Sequence, residues 1–384
     1  MRTIETSRNL DRRATGARRR PAVVAVAMLL FAACSADSTL NAEGIGGSGG
    51  PERDPRPTLA AAPGRAAPGS MMTKTDTLFE GTFIASDPSV VRDGEGYRMS
   101  FTEMDWNAKV KRVVIAIATS PDGEAWTPIE ATIRPGLPGV VLTGEDGTWR
   151  ENLEGSELVK GGEGWLLYFS GYRDRGRPAK GFPAALGVAD SSDGVNFTPR
   201  PAPVIEPTQG WYDNDAVYSP DVLREGGRYH MVYAGHCYTD FSRIGRPGVF
   251  VLYASSTDGT NWTKGEKPLL PTENVPAWMK DGVAEPSLLR KPGGGWALFF
   301  TGLEDEERVI GLATAPALEG PWTIRPEPIV AKGAKGEADD GQVLAPDVMV
   351  EGGELRMWYL AEAAREDYAI RSARAPLAAL TAGN

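Results

Sequence analysis

The chain has 384 residues, 41% hydrophobic and 24% charged, with 46 Gly and 30 Pro, a composition of many turns and few long helices. Its formal charge is −10, and two cysteines exclude a disulfide-built scaffold. An acidic balance argues against nucleic acid and anionic lipid headgroups as partners.

Arg12, Arg13 and Arg18 to Arg20 precede an apolar run from Pro21 to Ala33 and then Cys34. The run is short for a bilayer span, and two small residues directly before a cysteine resemble the lipobox of a bacterial lipoprotein. Residues 1–33 therefore read as a lipoprotein-type signal peptide, Cys34 as the lipidated residue, and the protein as exported to the cell envelope or periplasm, with ordinary secretion as the alternative. Cleavage there removes seven arginines and two acids, taking the formal charge to −15. Any membrane contact is then through the lipid anchor alone, and the one cysteine left, Cys237, has no intrachain partner. Residues 34–76 are rich in Gly, Pro, Ala and Ser without periodicity, which reads as a flexible tether.

From Thr77 onward short β-type runs alternate with glycine-containing turns, and one plan recurs five times. SDPSVVRDGEGYRMSFT, EGSELVKGGEGWLLYFSG, SPDVLREGGRYHMVYAG, AEPSLLRKPGGGWALFFTG and APDVMVEGGELRMWYLAE each hold an acid, a short strand, a tight turn and an aromatic-rich strand. With Asp87, Glu157, Asp221, Glu285 and Asp347 as register marks, the spacings are 70, 64, 64 and 62 residues. A third strand follows in each copy, then an Asp-Gly turn in three copies, then usually an aromatic opening a fourth strand. Four antiparallel strands per copy predict an all-β, five-bladed β-propeller over residues 77–384. The fifth copy stops after its third strand, so Thr77–Ala85 is expected to close the ring as the outer strand of the last blade, hiding an open edge.

In such a fold the first strands line a central channel, and the five acids converge on one funnel. Crowded carboxylates push one another's pKa values apart, which suits acid and base roles at a single pH. The competing reading is a repeated backbone-capping role, strongest for Glu157 and Asp347. Segments after the second strands should form the rim, carrying Glu103, Asp105 and Trp106, then Tyr172 and Arg173, then His236 and Tyr238, then Glu304, Asp305 and Glu362. Trp126, Trp262 and Trp322 recur at one repeat position and are expected in the core. No His, Cys and acid spacing makes a metal motif.

The repeat resembles the five-bladed propeller glycosidases of glycoside hydrolase family 43 and its clan, the arabinanases, β-xylosidases and arabinofuranosidases, over roughly Thr77 to Pro376. The resemblance implies Asp87 in SDPS as general base, Asp221 in SPDV as the residue that tunes pKa, and Glu285 in AEPS as general acid, with Glu154 in EGS a rival acid. Asp221 follows Pro220, whereas the family's tuning residue usually precedes a proline. Substrate contacts are expected from Trp106, Glu154, Glu157, Tyr172, Arg173, His236 and Asp347. The implied reaction is inverting hydrolysis of a poly- or oligosaccharide without a required cofactor, and a structural calcium ion in the channel is compatible with the family. Two other readings stand beside it: a phosphorylase on the same fold, with Arg150, Arg173, Arg243 and Arg308 as phosphate ligands, and a non-catalytic carbohydrate-binding lipoprotein. Sugar, linkage, exo or endo action and oligomeric state are not legible.

Overall fold

The structure, a computed structural model, describes residues 70–105, 112–131, 133–161, 164–173, 184–363 and 367–380. Cys34, the leader and nearly all of the tether lie outside these residues, as does Trp106. No helix among the described residues is long and apolar enough to cross a membrane.

The described chain is all-β. Its strands fall into five consecutive antiparallel units, each beginning with a long first strand: Ser86–Asp93, Asn152–Lys160, Ala216–Glu225, Gly282–Arg290 and Gln342–Glu351. Each pairs with a second strand through a short turn, and the second with a third. In units 1 to 4 a two-residue fourth strand completes the set. The turns follow from the residues. Gly226-Gly227 and Gly352-Gly353 take φ of 58° and 78°, and 59° and 84°, the double positive φ of a type I′ hairpin.

The fifth unit is completed from the other end of the chain. Thr73–Phe79 pairs antiparallel with Asp367–Pro376, in the order fourth, third, second, first strand. The closing strand thus starts four residues before the expected Thr77, and residues 80–85 are not strand. Met72, expected in the tether, is 1% exposed in the core, and Ser70 and Met72 bond to the Ile329 carbonyl.

First strands touch in chain order, and that of unit 5 returns to that of unit 1. Five hydrophobic clusters fill the spaces between consecutive units rather than the axis: Leu158 with Ile115, Tyr168 with Met231, Val232 with Leu298, Phe299 with Met357, and Trp358 with Met99. Trp322 is buried and Trp126 and Trp262 pack against these clusters.

The Asp-Gly turns latch one unit to the next. Ser120, Ser191 and Ser256 accept the N–H of Gly123, Gly194 and Gly259 at 2.8, 2.9 and 3.0 Å. The freed glycine carbonyls then accept from the preceding unit: Trp358 Nε1 to Gly123, Arg98 to Gly194, Tyr168 Oη to Gly259. This arrangement satisfies buried donors that would otherwise be orphaned.

Candidate active site

Every first strand carries the same irregularity. Its ladder with the second strand slips by one residue between Ser86 and Ser89, Glu154 and Glu157, Tyr218 and Asp221, Ala284 and Ser287, and Leu344 and Asp347. At each slip one residue adopts left-handed backbone: Asp87 (49°), Gly155 (53°), Ser219 (50°), Glu285 (48°) and Ala345 (48°). A bulge of this kind re-aims the side chains around it, and for a residue other than glycine it costs about 1–3 kcal/mol. The five bulges, with Glu157, Asp221 and Asp347 two residues further on, line an axial cavity.

The bulges correct the register read from the acids. Asp87 and Glu285 stand at the bulge, whereas Glu157, Asp221 and Asp347 stand two residues further on, in line with Ser89 and Ser287. The five marks therefore form two rings, not one.

In the second ring every side chain accepts a backbone N–H from the next first strand. Ser89 Oγ takes Leu158 N at 2.9 Å, Glu157 takes Val222 N, Asp221 Oδ2 takes Leu288 N at 3.0 Å, Ser287 Oγ takes Val348 N at 3.2 Å, and Asp347 Oδ2 takes Val90 N at 2.6 Å. A role met five times, by serine as well as acid, is architectural: these residues stitch the ring. Asp221, expected as the tuning residue of a catalytic pair, belongs here.

The second ring also holds the described carboxylates best placed for a cation. One oxygen each of Glu157, Asp221 and Asp347 lies within 4.8 Å of the others, and no sequence spacing announced this cluster. Burial raises all three carboxyls, with mutual repulsion adding to Glu157 and Asp221.

This has a measurable consequence. Carboxyls held above their ordinary value stay protonated in the folded chain after the unfolded chain has ionised, near pH 4. Their stabilisation is complete below that pH and is lost as pH rises through the folded values, about 7 for Asp347 and Glu285 and about 8 for Glu154. Turn acids such as Asp122, lowered to about 2 by backbone N–H groups, act oppositely but only in acid. The melting temperature should fall as pH rises from about 4.5 to 8, and Asp347→Asn should flatten that slope below about pH 7. A melting temperature that rises across the interval would contradict this account.

The bulge ring is built differently. Asp87 accepts from Thr102 Oγ1, from Ser86 Oγ at 3.1 Å and from Gly155 N. Glu285 Oε2 accepts from Thr301 Oγ1 at 2.6 Å and from Ala345 N at 3.0 Å. Each acid is thus held by a second-strand threonine and the N–H of the next bulge. Glu154, one residue before the unit 2 bulge, joins them: the charges of Asp87 and Glu285 act on it, and Tyr172 bonds to it. Burial raises Asp87; burial, then the Asp87 charge, push Glu285 to about 7 and Glu154 to about 8.

An aromatic row adjoins Glu154. The rings of Tyr172 and Tyr218 are 6.3 Å apart and those of Tyr218 and His236 5.1 Å, with all three residues no more than 6% exposed. Burial lowers His236 to about 4, keeping its imidazole neutral. Tyr218 was not foreseen; its signal was its position, equivalent to Glu154. Arg173 is exposed, with Nε 3.3 Å from Glu151. Glu103, placed at the rim from sequence, is instead 1% exposed and accepts the N–H groups of Thr82, Phe83, Ile84 and Met104, pinning the link between the closing strand and the first unit.

A closed circuit of antiparallel sheets with acids gathered at its axis defines the class: an all-β propeller with an acid-lined channel. No protein-family model matches the chain, and the search of curated proteins finds no relative. Solved structures do match. A glycoside hydrolase superimposes with a TM-score of 0.61 at 17% identity, over 82% of this chain and 90% of that one. The endo-arabinase from Bacteroides thetaiotaomicron gives 0.55 at 15%, over 78% and 96%, and a thermostable family-43 glycoside hydrolase 0.54 at 16%, over 76% and 90%. The chain shares their fold.

Proposed function

We propose that this protein is a five-bladed propeller glycoside hydrolase that cleaves a poly- or oligosaccharide with inversion, Asp87 serving as general base and Glu285 as general acid. One observation carries the reading. Five equivalent bulges exist, yet acids occupy only two, while Gly155, Ser219 and Ala345 fill the others. A purely structural need would recur in all five, as it does in the second ring. Here a strained backbone and a desolvated carboxyl coincide twice, and such costs are met at functional sites.

The roles follow from the proton affinities. Glu285, raised to about 7, holds its proton near neutrality and delivers it to the leaving oxygen. Asp87, in a site of three hydrogen-bond donors, is the carboxyl better suited to ionise and draw a proton from water on the opposite sugar face. Glu154 takes the place given to Asp221 as the third carboxyl acting on the pair, and Tyr172 and His236 form part of the wall that excludes water. Glu157 and Asp347, which line the same cavity, are assigned to holding the ring together instead of to sugar.

The chemistry requires no cofactor. A structural calcium, if the chain keeps the one its resemblance allows, would be held by Glu157, Asp221 and Asp347, whose all-oxygen donor set suits a hard cation. Export as a lipoprotein anchored at Cys34 remains part of the proposal, and it brings the enzyme to extracytoplasmic carbohydrate. The experiment is proton NMR of the first product from arabinosyl, xylosyl, galactosyl and mannosyl substrates, with and without phosphate. Inverted anomeric configuration without phosphate dependence is expected; a sugar phosphate product, or retention, overturns the mechanism.

A further inference from the structure

Arg308 is the second residue of the third strand of unit 4, Glu307–Ala315, and is 3% exposed. It donates from one terminal nitrogen to the carbonyls of Asp305 and Glu307, yet its Nε has no hydrogen-bond partner among the described residues. Gln342, at the start of the unit 5 first strand, has a buried Oε1 in the same condition.

Both lie at the end of the channel where the catalytic acids stand. Leu303 pairs with Arg308 on one side and with Gly282 on the other, three residues before Glu285, and Thr301 on the same strand holds the Glu285 carboxyl. Gln342 is the cross-strand partner of Glu362, whose charge, with those of Glu285, Tyr238 and Asp281, acts on the Arg308 guanidinium. Buried polar atoms are seldom left unbonded, because each one forfeits its water at a cost of about 1–3 kcal/mol. A buried donor and a buried acceptor without partners among the described residues, on adjoining units at the end of the channel where Glu285 stands, point to something that supplies both partners.

We infer that Arg308 and Gln342 form a sugar-hydroxyl subsite on the unit 4 and unit 5 side of the mouth, with Arg308 the specificity-determining residue for a neutral sugar. A hydroxyl group can accept from the guanidinium and donate to the amide oxygen, so one vicinal diol satisfies both. An anion satisfies only Arg308 and must enter beside Glu285, Asp281 and Glu362, which excludes phosphate and uronate groups. The inference rests on the reading of the mouth as a sugar site, but not on turnover.

The test is NMR titration of the full chain with arabinose, xylose, galactose and mannose, and separately with inorganic phosphate. Wild type, Arg308→Met and Gln342→Met are compared, with melting curves to confirm folding. At least one neutral monosaccharide should bind wild type, and Arg308→Met should weaken it about tenfold or more, the usual loss of a charged hydrogen bond. Gln342→Met should weaken it less and serves if Arg308→Met does not fold. Binding unchanged in the folded variants, no binding of any of the four sugars to wild type, or phosphate binding that needs Arg308, would each overturn the inference. Arg308-dependent sugar binding without any hydrolysis would instead leave it standing and remove the hydrolase reading.

Discussion

Asp87→Asn is expected to lower turnover by about a thousandfold or more while raising the melting temperature. The loss follows from removing the only proposed acceptor for the proton of the attacking water, an effect of about 10²–10⁴ for a general base. Asparagine tolerates left-handed backbone as aspartate does, so the bulge at φ 49° is kept. The gain comes from replacing a carboxyl whose burial makes ionisation costly with a neutral amide that keeps an acceptor for Gly155 N. Steady-state kinetics beside a thermal melt checks both halves. Retention of more than about a tenth of the activity would remove Asp87 from the mechanism.

For Glu285→Gln the expected signature is a dependence on leaving group. Natural glycosidic oxygen needs a proton as it departs, so loss of the acid should cost about 10²–10⁴ in rate, whereas an activated aryl glycoside leaves unaided and should lose little. The wild-type rate should fall as pH rises through about 7, where Glu285 gives up its proton, and that limb should vanish in the variant. Glu154→Gln discriminates between the rivals: it should keep both the limb and the ordinary sensitivity to leaving group. If Glu154→Gln shows the aryl rescue instead, the acid is Glu154, carried on the strand Asn152–Lys160.

Much of this site could be read before any coordinates. Asp87 and Glu285 stand out because each precedes a proline, in DPS and EPS, and both prove to occupy the same bulge. Alignment of the copies on their acids hides this equivalence. Aligned on Pro88, Pro220, Pro286 and Pro346, the copies place an acid before the proline in units 1 and 4 and after it in units 3 and 5. Those are the two rings. A bulge sets two residues against one across the ladder, so a shift of two positions in sequence moves an acid from the bulge to the ring whose side chains accept the next strand's N–H, although both rings line the cavity. Asp221, level with Asp87 and Glu285 when the copies are aligned on their acids, stands in the second ring for that reason.

The strand periodicity, the tight glycine turns and the fivefold recurrence were determined by the sequence itself, because each depends on residues within one hairpin or one repeat. Tertiary structure alone decided which acids meet. The bond from Val90 to Asp347 joins residues 257 apart, and that from Ala345 to Glu285 residues 60 apart. Burial and Coulomb coupling act through space, so the proton affinities of Asp87, Glu154 and Glu285 arise only when closure of the ring brings their separate strands to one axis and removes them from water.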